Sequence, residues 1–279
     1  MNEDIMILSN KLIYGDRLRC GSETVAKRSL CLPNPKAVKA IHRPICYPVE
    51  TCWLHKLMAE SCKAVFVDTD GVPACDSRVG DLVQNEVEAR LVQQMAEALL
   101  VAGVSEEQIG IISLYRQQIK LLSHLLLARK GIEILTADRS QGRDKECIII
   151  SMVRSNDSGQ IGELVRDWRR MNVSFTRARS KLIIFGSRKT LQTAPLLSEF
   201  FDLMQKQGWI VPLPAKADTL HTFAASQTVT KRSLEVTGVA VTPLKENKLD
   251  RPTKKVKRVA EEGLLRSRPL LKDLVNGSR

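Results

Sequence analysis

The sequence predicts an α/β fold built on a parallel β-sheet with helices on both faces. Short runs rich in Ile and Val alternate along residues 64–207 with longer segments whose apolar residues recur at helical spacing. Hydrophobic residues make up 43% of the chain, which is enough for a substantial buried core. The sequence has no run of about 18 apolar residues, so we predict no membrane-spanning helix and no membrane partner.

The first strand and the helix after it are recognised by their boundaries. Residues 64–69 form a short apolar run that ends in polar residues, which is typical of a buried strand. Asn85, followed three residues later by Glu88, resembles a capping box at the start of a helix. Apolar residues then recur at helical spacing as far as Gly103, which predicts a helix that stops there.

The later elements continue this alternation. The sequence predicts strands at 109–114, 132–136, 147–153 and 181–185, and helices at 115–130, 167–180 and 195–207. Because helices separate most of these strands along the chain, the sheet should be parallel. Sheets of this kind bind their ligands just past the ends of the strands.

Two parts of the chain fall outside the alternation. Residues 20–62 carry four prolines and little periodicity, and we predict that they form a loop-rich insertion in a domain spanning residues 1–214. Residues 215–279 hold 14 Lys and Arg against seven Asp and Glu and have few aromatic residues. This composition predicts a largely disordered basic tail.

The formal charge of +12 favours a polyanionic partner, and it is concentrated in two places. Residues 139–188 hold 11 basic and five acidic residues, inside the predicted domain. In the tail, residues 252–258 resemble a monopartite nuclear localisation signal, which predicts the nuclear import machinery as a partner and the nucleus as the location. The alternative for the tail is a solvated run of charge.

The seven cysteines predict reduced thiols, because they are sparse and odd in number. Cys46, Cys52, His55 and Cys62 are residue types that bind zinc, but no Cys-x-x-Cys pair anchors them. We therefore favour reduced cysteines in the insertion and predict no metal site.

The first of three segments with functional potential is residues 114–118, after a predicted strand. Arg116 lies at the start of the following helix. The N-terminus of a helix offers free backbone N–H groups to a phosphate, and an arginine there adds a positive charge. The alternative is an ordinary solvated first turn.

The second segment is residues 136–144. Gly142 allows a close approach of the backbone to a ligand, and Gln141 and Asp144 can hydrogen-bond a nucleotide or an attacking water. The alternative is a polar turn between two strands.

The third segment is residues 169–179. On a helix, Arg170, Ser174 and Arg177 lie near one face. An arginine held on a rigid helix can stabilise the charge that develops on a γ-phosphate during transfer. The alternative is a basic surface helix.

In order and type, the three segments resemble motifs IV, V and VI of the second RecA-like domain of superfamily 1 helicases, in the 5′-to-3′ branch. Residues 115–118 resemble motif IV, residues 138–144 resemble motif V and residues 172–178 resemble motif VI. Residues 141–145 and 167–170 more narrowly resemble the eukaryotic DNA replication ATP-dependent helicase/nuclease family, in a similarity that covers roughly the whole predicted domain.

The resemblance implies a RecA-like P-loop NTPase fold and a role in DNA replication and repair, in flap processing and end resection. It implies ATP and Mg²⁺ as cofactors shared with a first motor domain, and an iron–sulfur cluster only in a nuclease part. Single-stranded or flap DNA and replication and repair proteins are the implied partners. The family also implies a mitochondrial location besides the nucleus.

The resemblance also assigns roles to individual residues. Arg177 would be the arginine finger and Arg116 a second contact to the γ-phosphate, while Gln141 and Gly142 would sense the nucleotide state. The nucleotide would further be contacted by Tyr115 and, near the ribose, by Asp144. The implied nucleic-acid contacts are Thr136, Arg139, Arg154 and Asn172.

The chain departs from the family pattern in ways that bear on its activity. Leu114 replaces a usual proline, and Ser140 replaces a usual aromatic residue whose packing couples motif V to the nucleotide. The sequence contains no G-x-x-x-x-G-K-[ST] phosphate-binding loop, and Met1 resembles an internal methionine of the family. We expect a fragment or truncated gene product without ATPase or nuclease activity alone. A catalytically silent nucleic-acid-binding module and a related RNA helicase lobe are the alternatives.

Overall fold

The computed structural model describes residues 1–42, 46, 51–221 and 223. The predicted import signal at 252–258 and most of the predicted disordered tail lie outside these residues. Residues 217–220, just beyond the boundary predicted at 214, form a helix that packs on the domain. Arg90 forms an ion pair of 2.9 Å with Asp218 in this helix.

Six strands form the predicted parallel sheet. In chain order they are β1 (Ala64–Asp68), β4 (Ile109–Ser113), β5 (Glu133–Thr136), β6 (Lys145–Ser151), β7 (Ala178–Gly186) and β8 (Ile210–Pro212), with β2 (Ser77–Val79) and β3 (Leu82–Gln84) forming a separate antiparallel hairpin. The order across the sheet is β5-β4-β6-β7-β1-β8. Every neighbouring pair in it is parallel.

The described helices cover both faces of this sheet, as expected. They are α1 (Glu3–Ser9), α2 (Glu23–Ala26), α3 (Trp53–Met58), α4 (Glu86–Val101), α5 (Arg116–Leu125), α6 (Glu163–Arg166), α7 (Trp168–Phe175), α8 (Arg188–Leu191), α9 (Pro195–Lys206) and α10 (Ala217–Leu220). Short 3-10 helices add Pro35–Ile41, Glu106–Gln108 and Asp138–Ser140, and a π-helix adds Asn10–Tyr14. None of the described helices is long and apolar enough to cross a membrane.

The strand side chains divide into two cores because successive residues of a strand point to opposite faces. In β7, Ile183 and Phe185 pack on the face covered by α3, α4, α5 and α10. Leu182 and Ile184 pack on the other face, with α1, α7 and α9. Strands buried on both faces are almost continuously apolar, which explains why β6 and β7 could be predicted from composition.

The boundaries of three predicted elements differ by three or more residues from those observed. The helix predicted at 115–130 ends at Leu125, and the one predicted at 167–180 is the shorter α7, which ends at Phe175. Strand β7 begins three residues early because Ala178 pairs with Lys145 of β6. A sequence pattern cannot show this pairing, since its partner is 33 residues away.

Lys181 of β7 is a charged residue buried to 1% exposure. Its Nζ donates hydrogen bonds to the carbonyl oxygens of Leu57 (2.8 Å), Ala59 (3.1 Å) and Cys62. Burial lowers the pKa of Lys181 from its ordinary value. These carbonyls lie at and after the end of α3, so Lys181 anchors the end of the predicted insertion to the sheet.

Replacing Lys181 by methionine should lower the free energy of unfolding by about 2 kcal/mol, because three carbonyl groups lose their donor while most of the side-chain volume is kept. Urea unfolding of the two proteins would measure this. Lys189→Met is the matched control, since Lys189 is 71% exposed, and its effect should stay within about 0.5 kcal/mol. Equal losses in the two variants would contradict the anchoring role.

Candidate functional site

The two edges of the sheet divide the predicted site residues into two groups. Strands β4, β5 and β6 end together at what we call the carboxyl edge, where Ser113 pairs with both Thr136 and Ser151. Strands β6 and β7 begin together at the amino edge, where Lys145 pairs with Ala178. The seven residues of β6 separate the two edges by about 20 Å, at about 3.3 Å per residue.

Two ion pairs hold the second and third motif segments together. Asp138 pairs with Arg170 at 3.1 Å, and Asp144 pairs with Arg177 at 2.7 Å. Residues 137–144 run from the end of β5 at the carboxyl edge to the start of β6 at the amino edge. Helix α7 lies alongside them, so that residues far apart in the sequence form one polar site. We call this the motif V–VI site.

Arg177 is the most constrained residue of the motif V–VI site. Its Nε donates to the carbonyl oxygen of Val173 (3.0 Å), one terminal nitrogen donates to Asp144 and the other donates to the hydroxyl of Thr176 (3.2 Å). Its side chain is 17% exposed. A guanidinium has five N–H donors, so capacity remains for the oxygens of a phosphate. The donor set therefore fits an anionic phosphate group.

The turn beside Arg177 is open to a ligand. Gly142 has a φ of +79°, which favours glycine, and a Cβ built on it would meet no heavy atom within 4 Å. Gln141 and Asp144 are exposed beside it. Ser140, where the family has an aromatic residue, is buried and donates to the carbonyl oxygen of Ala137.

Arg116 lies at the other edge of the sheet from Arg177. It is exposed at the start of α5, directly after β4, whereas Arg177 directly precedes β7. All three motif segments were expected just past strand ends, and only the first lies there entirely. Because strand direction puts the two arginines at opposite edges, the structure does not bring them together around one phosphate.

Tyr115 and Arg154 are also placed differently from what the motif pattern implies. Tyr115 is 8% exposed, and its hydroxyl donates to the carbonyl oxygen of Ile161 (3.2 Å), so the ring is part of the core. Arg154 is 7% exposed, and its Nε donates to Asp76 at 3.0 Å. Burial and this ion pair keep Arg154 from presenting its charge to nucleic acid.

The other predicted nucleic-acid contacts are more accessible. Thr136 is half-buried at the carboxyl edge, and Arg139 is exposed in the turn that follows it. Asn172 is half-buried, and its side-chain amide donates to the hydroxyl of Tyr14 (3.1 Å). Trp168 is 39% exposed, and the guanidinium of Arg169 lies 4.9 Å from the centre of its ring.

A buried polar network below the carboxyl edge was missed by the sequence analysis. Asn85 caps α4 as predicted, by accepting from the N–H of Glu88. The Glu88 carboxylate does not complete a capping box. It instead accepts from the Ser151 hydroxyl and from the N–H of Val153 (2.9 Å), and Gln118 donates to Ser151 and to the Asn85 carbonyl oxygen.

This network holds the chain in an uncommon conformation where it leaves β6. Val153 has a φ of +71°, a region that β-branched residues rarely adopt. Burial raises the pKa of Glu88 to about 7, against the opposing effect of its hydrogen bonds to Ser151 and Val153. In the sequence, the only indication of this network was the polar pair at residues 85 and 88, which we assigned to a local helix cap.

Two of the cysteines considered as metal ligands lie close together, but their neighbours are not the residues considered with them in the sequence. Cys46 and Cys52 lie together, but their neighbours are His42 and His221, and neither His55 nor Cys62 belongs to the group. His221 is 169 residues from Cys52, so no spacing rule could have selected it.

Comparison with known proteins agrees with these motifs. An AAA domain family model matches residues 1–189. The DNA replication ATP-dependent helicase/nuclease dna2 of Schizosaccharomyces pombe is 41% identical over 220 residues, which is 76% of this chain and 15% of that protein. The DNA2 proteins of Mus musculus and Homo sapiens are 41% and 39% identical, over 77% of this chain and 20% of each relative.

The chain thus spans only 15–20% of the length of these relatives. The matched part includes most of the parallel sheet and all three motif segments. The chain therefore belongs to the AAA domain family, and its body is a RecA-like helicase domain similar to the one in DNA replication ATP-dependent helicase/nucleases.

Proposed function

We propose that the chain is the second motor domain of an ATP-dependent 5′-to-3′ DNA helicase/nuclease that acts in DNA replication and repair, in flap processing and end resection. The observation that carries this proposal is the Asp144–Arg177 pair at the amino edge. This pair holds a guanidinium in place beside an open glycine turn. A second lobe that completes a nucleotide pocket needs such an arginine to reach the γ-phosphate.

In this proposal ATP, with its Mg²⁺, lies between the amino edge and a first motor lobe that carries the phosphate-binding loop. The bound nucleotide supplies the phosphoryl group that is transferred to water. Arg177 stabilises negative charge on the γ-phosphate, and Asp144 holds Arg177 in position and lies near the ribose. Gln141 and Gly142 line the turn that detects whether the γ-phosphate is present.

We assign the DNA strand to the carboxyl edge, where Thr136 and the exposed arginines 116 and 139 lie. We assign Arg116 to the DNA and not to the γ-phosphate, because Arg116 lies about 20 Å from the amino edge, which is the length of β6. Contacts of this kind bind phosphates without reading sequence, which suits a motor that moves along any strand.

Nuclear import through residues 252–258 and contacts with replication and repair proteins belong to the same proposal. The basic composition of the segment and the similarity to replication proteins support them. The iron–sulfur cluster of the family is assigned to a nuclease part outside this chain.

ATP hydrolysis by the chain alone and by a chimera tests the proposal. In the chimera, this chain replaces the matching segment of the Schizosaccharomyces pombe relative. We expect no turnover from the chain alone, because it has no phosphate-binding loop, and turnover stimulated by single-stranded DNA from the chimera.

Three outcomes would contradict the proposal in different ways. Turnover by the chain alone would show that it holds a complete ATP site. An inactive, folded chimera whose isolated lobe still binds single-stranded DNA would identify a silent nucleic-acid-binding module. Stimulation by RNA and not by DNA would identify an RNA helicase lobe.

A further inference from the structure

Four buried side chains from distant parts of the sequence meet beside the sheet. His42 follows the 3-10 helix Pro35–Ile41, Cys46 lies in the insertion, Cys52 caps α3 and His221 follows α10. One nitrogen or sulfur atom from each of the four lies within 4.8 Å of the others. We call this group the Cys2His2 cluster. Each residue is no more than 8% exposed.

The distances within the cluster match those between ligands of one small metal ion. The Sγ of Cys52 lies 3.2 Å from Nε2 of His221, and the Sγ of Cys46 lies 3.8 Å from the same nitrogen. Tetrahedral zinc with bonds of about 2.3 Å to sulfur and 2.0–2.1 Å to nitrogen places such atoms about 3.5 Å apart. The two measured separations lie on either side of this value.

Both histidines are placed as ligands would be. Nδ1 of His221 lies 3.4 Å from the carbonyl oxygen of Ile41, which orients Nε2 towards the two sulfurs. A metal-binding histidine commonly makes such a bond through its other nitrogen. Neither ring nitrogen of His42 has a hydrogen-bond partner in the described part of the chain, although both are buried. Leaving a buried polar atom unpaired costs free energy, which a bound cation would recover.

Charge and surroundings favour a divalent cation. The two cysteines lie in the apolar core with Trp53 and Leu54. Two thiolates and two neutral imidazoles around a divalent ion carry no net charge, so the site can be buried without an uncompensated ion. Binding would release one proton from each thiol to the solvent, and no oxidant or reductant is needed.

We propose that His42, Cys46, Cys52 and His221 bind one structural Zn²⁺ ion. The four protein ligands complete the coordination of the ion, which is typical of a structural site and leaves no position for a substrate. The ion would fix the insertion and the segment after α10 to the body, because its ligands come from both. This site is separate from the motif V–VI site.

The metal content of the purified full chain tests the proposal. Elemental mass spectrometry should find about one equivalent of zinc per chain in the wild type and in Cys75→Ser. The zinc should be lost in Cys52→Ser and in His221→Gln. Cys75 is an exposed thiol outside the cluster and is the matched control. Chelation should lower the melting temperature of the wild type and of Cys75→Ser.

A second measurement needs no variant, in case a cluster substitution prevents folding. Replacing zinc by Co²⁺ in the wild-type chain should give the visible absorption bands of tetrahedral cobalt together with a sulfur-to-cobalt charge-transfer band. A wild-type chain that holds no zinc and gives no such bands would overturn the proposal. So would a Cys46–Cys52 disulfide found by mass spectrometry in the protein as purified.

Discussion

Replacing Arg177 by alanine is expected to reduce DNA-stimulated ATP hydrolysis about 10³-fold or more in the chimera described above. The guanidinium is held by Asp144, Val173 and Thr176 at the edge of the sheet. A charge fixed in advance stabilises the transition state without reorganisation, so its removal should lower kcat far more than it raises KM.

The affinity for single-stranded DNA should change little in Arg177→Ala, because the strand is assigned to the opposite edge. Arg179→Ala is the matched control for charge, since Arg179 is 48% exposed two residues further along the chain and is no part of the proposed site. Steady-state kinetics and DNA titrations at one salt concentration separate the two effects. If Arg177→Ala hydrolyses ATP as fast as Arg179→Ala, Arg177 does not stabilise the γ-phosphate.

Replacing Glu88 by glutamine is expected to remove a pH-dependent part of the stability. The pKa of Glu88 is about 7 in the folded chain and 4.5 as the ordinary value of a glutamate, so the folded state binds this proton more tightly than the unfolded state. The free energy of unfolding should therefore fall as the pH rises from 4.5 to 7, by about 3 kcal/mol from this one group.

Glutamine keeps an oxygen that can accept from Ser151 and Val153, but it does not titrate. The free energy of unfolding of Glu88→Gln relative to the wild type should rise by about 3 kcal/mol between pH 4.5 and pH 7.5. Denaturant unfolding over this range would measure the difference. Glu199→Gln, at an exposed position on α9, should follow the wild-type curve. Parallel curves for wild type and Glu88→Gln would show that burial does not perturb this carboxyl.

Much of the fold could be predicted because local sequence and local structure agree. The apolar runs that became β6 and β7 are buried on both faces, and a central parallel strand has this composition in most contexts. The Asn85 cap also depends only on residues within one turn. Element ends were less predictable, since the start of β7 depends on pairing with Lys145.

The residue types of the candidate site could be predicted, but which of these residues lie close together could not. The motif order correctly indicated the helicase family. It did not reveal that Arg116 and Arg177 lie at opposite edges, because this depends on the direction in which each segment joins its strand. Arg154 could not be recognised as buried, since its partner Asp76 is 78 residues away.

The sequence by itself determined the alternation of strands and helices, the family and the residue types of the three motif segments. Periodicity and motif order carry this information because both are properties of short segments. The tertiary structure decided which charges face a ligand, which are paired in the interior, and that His221 joins Cys46 and Cys52. These outcomes depend on contacts between residues far apart in the chain, and only the folded sheet brings such residues within bonding distance.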